Sequence, residues 1–268
     1  MGRSGTDVTR EAADVVLLDD NFASIVAAIE EGRAVFANIR NFLTYILTSN
    51  VPELIPYLAF VVFRIPLPLT IIQILAVDLG TDMLPALGLG AEKPALDIMK
   101  APPRSRTDRL LTWPLLARAY LFLGLMQAAA AMSAYWFVLR NGGWSFGEQL
   151  AARDPLYLQA TTACLSAIIV MQIANVFLCR SERQSILARS LTSNKLILAG
   201  IATELLLIGL IVYTPWGQAL FGTAPIALVV WIFIIPFALG MLALEELRKW
   251  LIRNFLGSPA PAYGRDAL

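Results

Sequence analysis

Two polar motifs interrupt long apolar segments of this sequence, at residues 48–53 (TSNVPE) and 78–82 (DLGTD). A charged side chain near the centre of a bilayer costs at least ~2.5–3.5 kcal/mol on insertion scales, and residues kept there usually have a function. Hard cations take oxygen ligands, and a bound cation neutralises the acids around it. The three carboxylates in these two motifs therefore predict a cation site.

The spacing within each motif supports this prediction. Asn50 and Glu53 are three residues apart, and Asp78, Thr81 and Asp82 follow at i, i+3 and i+4. Residues three and four apart share one face of an α-helix. If both segments are regular helices, each presents its oxygen atoms from a single stripe.

Two prolines in the first segment add backbone ligands. Pro52 and Pro56 have no N–H, so the carbonyls one turn earlier, at Thr48 and Pro52, lose their helical donors. Unwound backbone at membrane depth is tolerated where it lines a cavity or is buried in protein. We expect these carbonyls to add to the ligands for sodium, potassium or calcium.

A polar clamp between helices is the alternative interpretation of the two motifs. In it Asn50 and Thr81 hydrogen bond across a helix interface and bind no ion. The clamp explains the amide and the hydroxyl, but it explains the three acids poorly, because neither motif contains Lys, Arg or His.

Composition indicates a membrane protein. Of the 268 residues, 57% are hydrophobic and 15% are charged, and mean hydropathy is +0.66. A soluble protein has a charged share of about 25%. The net charge of +1 and the lack of a long basic run give no indication of nucleic-acid binding. The sequence has no His, which excludes a histidine metal site and a histidine base.

Six apolar segments are long enough to cross a bilayer, since a span needs about 20 residues. We expect them at about 38–63, 67–89, 114–139, 158–178, 196–213 and 224–243. Lys and Arg concentrate in the loops after the second and fourth segments and in the tail. The positive-inside rule then places both termini in the cytoplasm.

Residues 1–35 are the soluble part at the front of the chain. Residues 15–18 (VVLL) are flanked by acids and suggest a buried strand, and Asn21 is a suitable N-cap for a helix that follows. A strand–helix piece of this size cannot bury a stable core by itself. We therefore interpret it as the remnant of a larger domain.

With these motifs in view, residues 1–254 resemble the carboxy-terminal part of a type II P-type ATPase, the class of the sodium/potassium and calcium pumps. Residues 1–22 resemble the end of the phosphorylation domain. Residues 48–53 and 78–82 resemble the two central ion-binding helices, and residues 97–104 (DIMKAPPR) resemble the cytoplasmic loop that follows them.

The resemblance implies an all-α membrane protein with the last six transmembrane helices of such a pump. A short remnant of the α/β phosphorylation domain would precede them. The implied units are residues 1–35 for the remnant and stalk and 36–90 for the two ion-binding helices. Residues 91–254 would form a four-helix region, and residues 255–268 a cytoplasmic tail.

The resemblance also assigns the site. It implies ion binding by five residues: Asn50, Glu53, Asp78, Thr81 and Asp82. Additional ion-binding candidates are Tyr45, Thr48, Ser49, Gln172, Asn175 and Glu204. Of these, Tyr45, Thr48, Gln172 and Glu204 match positions of an extra sodium site in sodium/potassium pumps.

Three of the additional candidates have a second interpretation. Asn175 stands where those pumps have an acid, which removes one negative charge and suggests a different stoichiometry. Gln172 and Asn175 also suit simple hydrogen bonding between helices. A carboxylate such as Glu204 in a span needs protonation or a partner.

The expected function is the ion-binding membrane part of an ATP-driven cation pump. Asp78 resembles the sodium/potassium and proton/potassium branch of the family, because the calcium branch usually has Asn at that point. Ser49 stands where the gastric proton pump has a lysine, which argues against the chemistry of that pump. Oxygen ligands alone do not fix the ion, because cavity size and ligand count decide it. In the family, ATP and Mg²⁺ act in domains upstream of this region. No catalytic residue is therefore expected here, and the chain alone should lack ATPase activity.

Other functions remain open. The chain could be a truncated or split-pump subunit that assembles with a separate N-terminal part, a passive cation leak pathway, or a piece of a longer reading frame. The expected partners are the lipid bilayer and the N-terminal part of the pump, in the plasma membrane. The loop after the third span shows no docking motif for an accessory subunit, so such a subunit is unknown.

Overall fold

The computed structural model describes residues 5–19, 21–95, 98–100, 102–103, 109–182, 184–188 and 190–255, and among these residues there are helices and no strand. Six helical units are long and apolar enough to cross a membrane. They are Phe22–Phe63, Ile71–Gly90, Trp113–Asn141, Pro155–Cys179, Lys195–Tyr213 and Leu228–Phe255. The prediction of an all-α protein with six spans is confirmed. Residues 1–4, the tail from 256 and three positions of the predicted loop motif (97, 101 and 104) lie outside the described residues.

The helices are α1 (Asp7–Glu11), α2 (Phe22–Phe63), α3 (Ile71–Leu75), α4 (Met83–Gly90), α5 (Trp113–Leu116), α6 (Leu125–Asn141), α7 (Pro155–Cys179), α8 (Lys195–Tyr213), α9 (Pro215–Phe221) and α10 (Leu228–Phe255). Two π-helical segments complete the second and third spans, at Ala76–Thr81 between α3 and α4 and at Ala117–Gly124 between α5 and α6. Short 3₁₀ turns occur at Ile98–Lys100 and Ile186–Ala188.

The strand predicted over residues 15–18 is wrong. These residues have no regular structure, and Val15 and Leu18 are exposed. A strand forms only beside a second strand, and the described residues contain no strand. The N-cap prediction is confirmed, because the Asn21 side chain accepts a hydrogen bond of 3.0 Å from the backbone N–H of Ala23.

α2 is much longer than a membrane is thick. Its 42 residues extend for about 63 Å at ~1.5 Å per residue, whereas a hydrocarbon core is about 30 Å thick. The early part of α2 is attached to the loop after α4, because Arg33 donates to the Ile98 carbonyl (3.1 Å) and Asn38 donates to the Glu92 carbonyl (2.6 Å). The helix runs unbroken through Pro52 and Pro56, so the expected unwinding at these prolines does not occur.

An even number of spans brings both ends of the bundle's chain to one side. We call this the terminal side, where α2 begins and α10 ends, and we call the other the opposite side. α7 lies at the centre and is the most buried span, with 83% of its most apolar stretch inside the bundle. It packs against α6 along its length and also contacts α10, α2 and α8. α10 is the least buried span, at 28%, as expected for a lipid-facing helix.

A buried ionic cluster closes the terminal side next to α4. Arg180, which follows α7, donates to both carboxylate oxygens of Glu92 at 2.6 and 3.2 Å. Asn194 caps α8 and donates to Glu92 and to the Gly88 carbonyl, both at 2.8 Å. These bonds join the ends of α4 and α7 to the beginning of α8.

Candidate cation site

The second span is broken at the predicted motif. Between α3 and α4 the chain forms a π-helical turn, and the N–H of Asp82 bonds to the carbonyl of Val77, five residues earlier, at 3.0 Å. Such turns are rare and often occur at functional sites. The assumption of a regular α-helical stripe through Asp78, Thr81 and Asp82 is therefore wrong. The widened turn leaves Asp78 exposed while Thr81 and Asp82 are buried.

Asp82 is where α2 and the broken span meet. Its carboxylate is only 3% exposed and accepts a hydrogen bond of 3.1 Å from the Tyr45 hydroxyl. The Ser49 hydroxyl, one turn further along α2, donates to the Tyr45 carbonyl at 3.1 Å and interacts with the Asp82 carboxylate. The sequence prediction assigned the two motifs to one site, and the structure brings Tyr45 and Ser49 of α2 to Asp82 of the second motif.

Glu53 lies beside the same group. It is buried on α2 and interacts electrostatically with both Asp78 and Asp82. One of its carboxylate oxygens, Oε1, has no hydrogen-bond partner in the described part of the chain. None of these three acids forms an ion pair with Lys or Arg among the described residues. Asn50 is exposed, on the outer surface of the described bundle.

Glu204 on α8 extends this group. It is fully buried, and neither of its carboxylate oxygens has a partner in the described residues. It interacts electrostatically with Asp82 and with Tyr45. A carboxylate from a third element therefore approaches the residues that α2 and the broken span supply.

The polar residues of α7 lie deep in the bundle. Gln172 and Asn175 are fully buried, and the Asn175 side-chain oxygen accepts a hydrogen bond of 3.4 Å from the Cys179 thiol on the next turn. Within the described structure, both amide atoms of Gln172 and the amide nitrogen of Asn175 have no partner. The described contacts therefore give Gln172 no hydrogen bond between helices.

The hydroxyls of the two motifs bond within their own helices. Thr48 donates to the Thr44 carbonyl at 2.7 Å, and Thr81 donates to the Val77 carbonyl at 3.0 Å. Each hydroxyl oxygen keeps lone pairs free to accept or to coordinate. The polar-clamp interpretation pairs Asn50 and Thr81 across a helix interface. In the described structure the Thr81 hydroxyl bonds within its own span and Asn50 is exposed, so neither residue shows such a bond between helices.

Gln127 on α6 is a residue that the sequence interpretation missed. Both of its amide atoms are buried without a partner in the described part of the chain. Leu123 and Ala130, one turn to either side, share a buried apolar cluster with Tyr45 and Met171. Buried polar groups nearly always have a protein, water or ion partner. The available signal was a glutamine alone within the apolar stretch of α6.

The donors do not form a compact metal centre. Among the described residues, no group of three or more acidic or cysteine side chains is placed to hold a metal ion. An ion here would be held by a mixed set of carboxylate, hydroxyl and amide oxygens. Such oxygen donors suit hard cations, which prefer them to nitrogen or sulfur.

A family model described as "Cation transporting ATPase, C-terminus" matches residues 66–251 of the chain. The chain belongs to this family of P-type ATPases. The match includes the broken span and all later spans. Five of the six candidate spans overlap the region that the family model matches.

Curated relatives of this P-type ATPase chain include the sodium/potassium-transporting ATPase subunit alpha-4 of Homo sapiens, at 37% identity. The alpha subunit of Drosophila melanogaster is 38% identical, and both alignments cover 95% of this chain and 27% of the relative. The alpha-2 subunit of Gallus gallus is 35% identical over 96% of the chain and 28% of its own length. The chain thus spans about a quarter of the length of these relatives.

Proposed function

We propose that this chain binds the cation that the pump transports, with Na⁺ or K⁺ favoured over Ca²⁺. One observation carries the proposal: Asp82 is buried between two spans, bonded to Tyr45, with Glu53 and Glu204 nearby. In the described residues these acids have no ion pair with Lys or Arg. Buried acids that lie together must be protonated or compensated by positive charge, and a transported cation supplies such a charge.

The proposed ligands are Asn50, Glu53, Asp78, Thr81 and Asp82, with Tyr45, Thr48, Ser49, Gln172, Asn175 and Glu204 as further oxygen donors. The preference for Na⁺ and K⁺ rests on the names of the relatives and on the residue types of the two motifs. Asn175 supplies an amide where a carboxylate would add charge, so we expect an ion stoichiometry that differs from that of a pump with an acid at this position.

The open side of the site suggests what completes it. Asn50 and Asp78 are exposed on the described bundle although they lie next to buried Glu53 and Asp82. We infer that another helix of the pump covers them and closes the cavity. That helix would belong to the N-terminal part, which we propose as the partner, in one polypeptide or as a separate chain.

Coupling to ATP would pass through α2. ATP would phosphorylate an aspartate outside this chain with Mg²⁺ bound there, and the long early part of α2 would carry the movement to Glu53. The affinity of the site for the cation and the side of the membrane from which the cation enters would then change together. The excess of Lys and Arg in the loops of the terminal side supports a cytoplasmic location for both termini. We propose the plasma membrane as the location of the protein in the cell.

The test uses the native protein purified from its source membranes, with its apparent mass recorded, and reconstituted in liposomes. We expect ATP-dependent uptake of ²²Na⁺ or of ⁸⁶Rb⁺, used in place of K⁺, and loss of uptake in Asp82→Asn. ATP-dependent uptake of ⁴⁵Ca²⁺ alone would contradict the ion preference. Uptake that needs no ATP would indicate a leak pathway and would contradict the pump assignment. A mass near 29.3 kDa with a copurifying polypeptide would indicate split assembly.

A further inference from the structure

Gln73 is a fully buried glutamine five residues before Asp78. It lies at the end of the broken span on the opposite side of the bundle, which we call the outer end of this span. Its side-chain oxygen accepts a hydrogen bond of 3.2 Å from the backbone N–H of Thr70, which is the N-cap of α3. One half of the amide therefore fixes the start of its own helix. The other half is free to bond elsewhere.

The amide nitrogen of Gln73 reaches two other elements. It lies 3.3 Å from the Gly222 carbonyl and 3.4 Å from the Phe221 carbonyl, at the end of α9. It also lies 3.4 Å from the Thr161 hydroxyl oxygen on α7. An amide nitrogen has two N–H donors, so these three acceptors share them. A single side chain thus joins the beginning of α3 to α7 and to the turn after α9.

The turn that receives Gln73 is itself well defined. Gly222 has a φ of +60°, a left-handed conformation that suits glycine and that ends α9. The Thr223 hydroxyl donates to the Ile211 carbonyl at 2.6 Å, and the Ala224 N–H donates to the Thr162 hydroxyl at 3.0 Å. The acceptors of Gln73 are therefore held by bonds to α8 and α7. They form a fixed support for the outer end of the broken span.

The other end of the broken span, on the terminal side, is its inner end and is held by close packing. A Cβ atom placed on Gly200 of α8 would lie 2.8 Å from the Pro85 nitrogen, and one on Gly88 would lie 2.8 Å from Ile197. α4 and α8 are therefore in contact at backbone distance. The π-helical turn with Asp78 and Thr81, and Asp82 after it, lies between this packed end and the Gln73 anchor.

We propose that Gln73 is a positioning residue for the cation site and that its bonds to α7 and the α9 turn set the place of the π-helical turn. This inference rests on the proposed function. Oxygen ligands bind a cation well only when they lie at the correct distances, and small displacements of a preorganised group are costly. Loss of the outer anchor lets the turn shift and moves the Asp82 carboxylate away from Tyr45. The result is a weaker cation site with the same number of ions.

The experiment compares three variants in the intact native protein. Gln73→Met keeps the length of the side chain and removes both the donors and the acceptor. Gln73→Glu keeps an acceptor for the Thr70 N–H and replaces the two N–H donors with one O–H donor at most. Gln159→Met changes an exposed glutamine on α7 and serves as the matched control. Equilibrium binding of ²²Na⁺ and ⁸⁶Rb⁺ gives the half-saturating concentration and the number of sites, and a thermal unfolding scan without these ions shows whether each variant is folded.

We expect Gln73→Met and Gln73→Glu to raise the half-saturating concentration about threefold or more, with an unchanged number of sites and a cooperative unfolding transition. Gln159→Met should bind as the wild type does. Wild-type affinity in a folded Gln73→Met would overturn the inference, because the bonds of the Gln73 amide would then have no effect on the cation site. If Gln73→Met does not fold, Thr161→Val, which removes one acceptor of the Gln73 amide, decides by the same criterion. Failure of the wild type to bind either ion would instead overturn the proposed function, and this inference with it.

Discussion

The hydroxyl of Tyr45 donates a hydrogen bond of 3.1 Å to Oδ1 of Asp82, and this bond connects α2 to the residue that follows the π-helical turn. Both side chains are buried, so water does not compete freely for the bond. A hydrogen bond to a charged group contributes about 1.5–3 kcal/mol. The position of Asp82 therefore depends on the position of α2.

Replacing Tyr45 with Phe removes this hydroxyl and keeps the ring. We expect the half-saturating cation concentration to rise about tenfold or more, since ~1.4 kcal/mol corresponds to a factor of ten. Titration of cation binding in the native protein measures the change. Tyr120→Phe, at an exposed tyrosine of the third span, is the control and should leave the titration unchanged. Equal affinities for Tyr45→Phe and wild type would show that the bond does not position Asp82.

Two glycines of α8 give a matched test of the helix contact that supports α4. Gly200→Ala places a Cβ 2.8 Å from the Pro85 nitrogen, whereas Gly209 has nothing within 4 Å of such an atom. Overpacking costs about 1–3 kcal/mol, so Gly200→Ala should lower the free energy of unfolding. Gly209→Ala should leave it unchanged or raise it by up to ~1 kcal/mol, because alanine favours the helix. Denaturant unfolding in detergent compares the two, and equal effects would contradict the close contact.

The ion pair between Glu92 and Arg180 is predicted to be a major support of the terminal side. Both side chains are about 5% exposed, and their closest atoms are 2.6 Å apart. Removal of one partner of a buried pair costs about 3–5 kcal/mol, because the other charge is left uncompensated. Glu92→Gln should therefore lower the free energy of unfolding by that amount.

The control for this prediction is the pair between Arg40 and Glu182, whose side chains are 28% and 40% exposed. Exposed pairs contribute about 0–1 kcal/mol, so Glu182→Gln should change the free energy of unfolding by less than ~1 kcal/mol. A larger effect for Glu182→Gln than for Glu92→Gln would contradict the importance of burial at this position.

The sequence predicted the spans well and the local conformations less well. Long apolar segments are specified by the membrane itself, so the six spans follow from composition and length. The N-cap at Asn21 could be predicted because it is a local hydrogen bond between residues two positions apart in the chain. The strand over residues 15–18 was not found, because a strand depends on partners elsewhere in a chain.

The π-helical turn shows why the site could be predicted only in part. The residue types around Asp82 indicated a cation site, and Tyr45, Ser49 and Asp82 do meet. The turn depends on tertiary packing, with α4 against α8 on one side and Gln73 bonded to α7 on the other. α-Helical spacing therefore placed Asp78 and Asp82 on one stripe, whereas the structure exposes the first and buries the second.

Equilibrium binding of ²²Na⁺ and ⁸⁶Rb⁺ to the native protein tests the central proposal most directly. Asp82→Asn keeps the shape of the side chain and removes its charge. Asp14→Asn, at an exposed position in the segment before α2, is the matched control. The account predicts saturable binding in the wild type and in Asp14→Asn, and none in Asp82→Asn at concentrations that saturate the wild type. Undiminished binding in Asp82→Asn would contradict the account, because Asp82 could not then be a ligand of the transported cation.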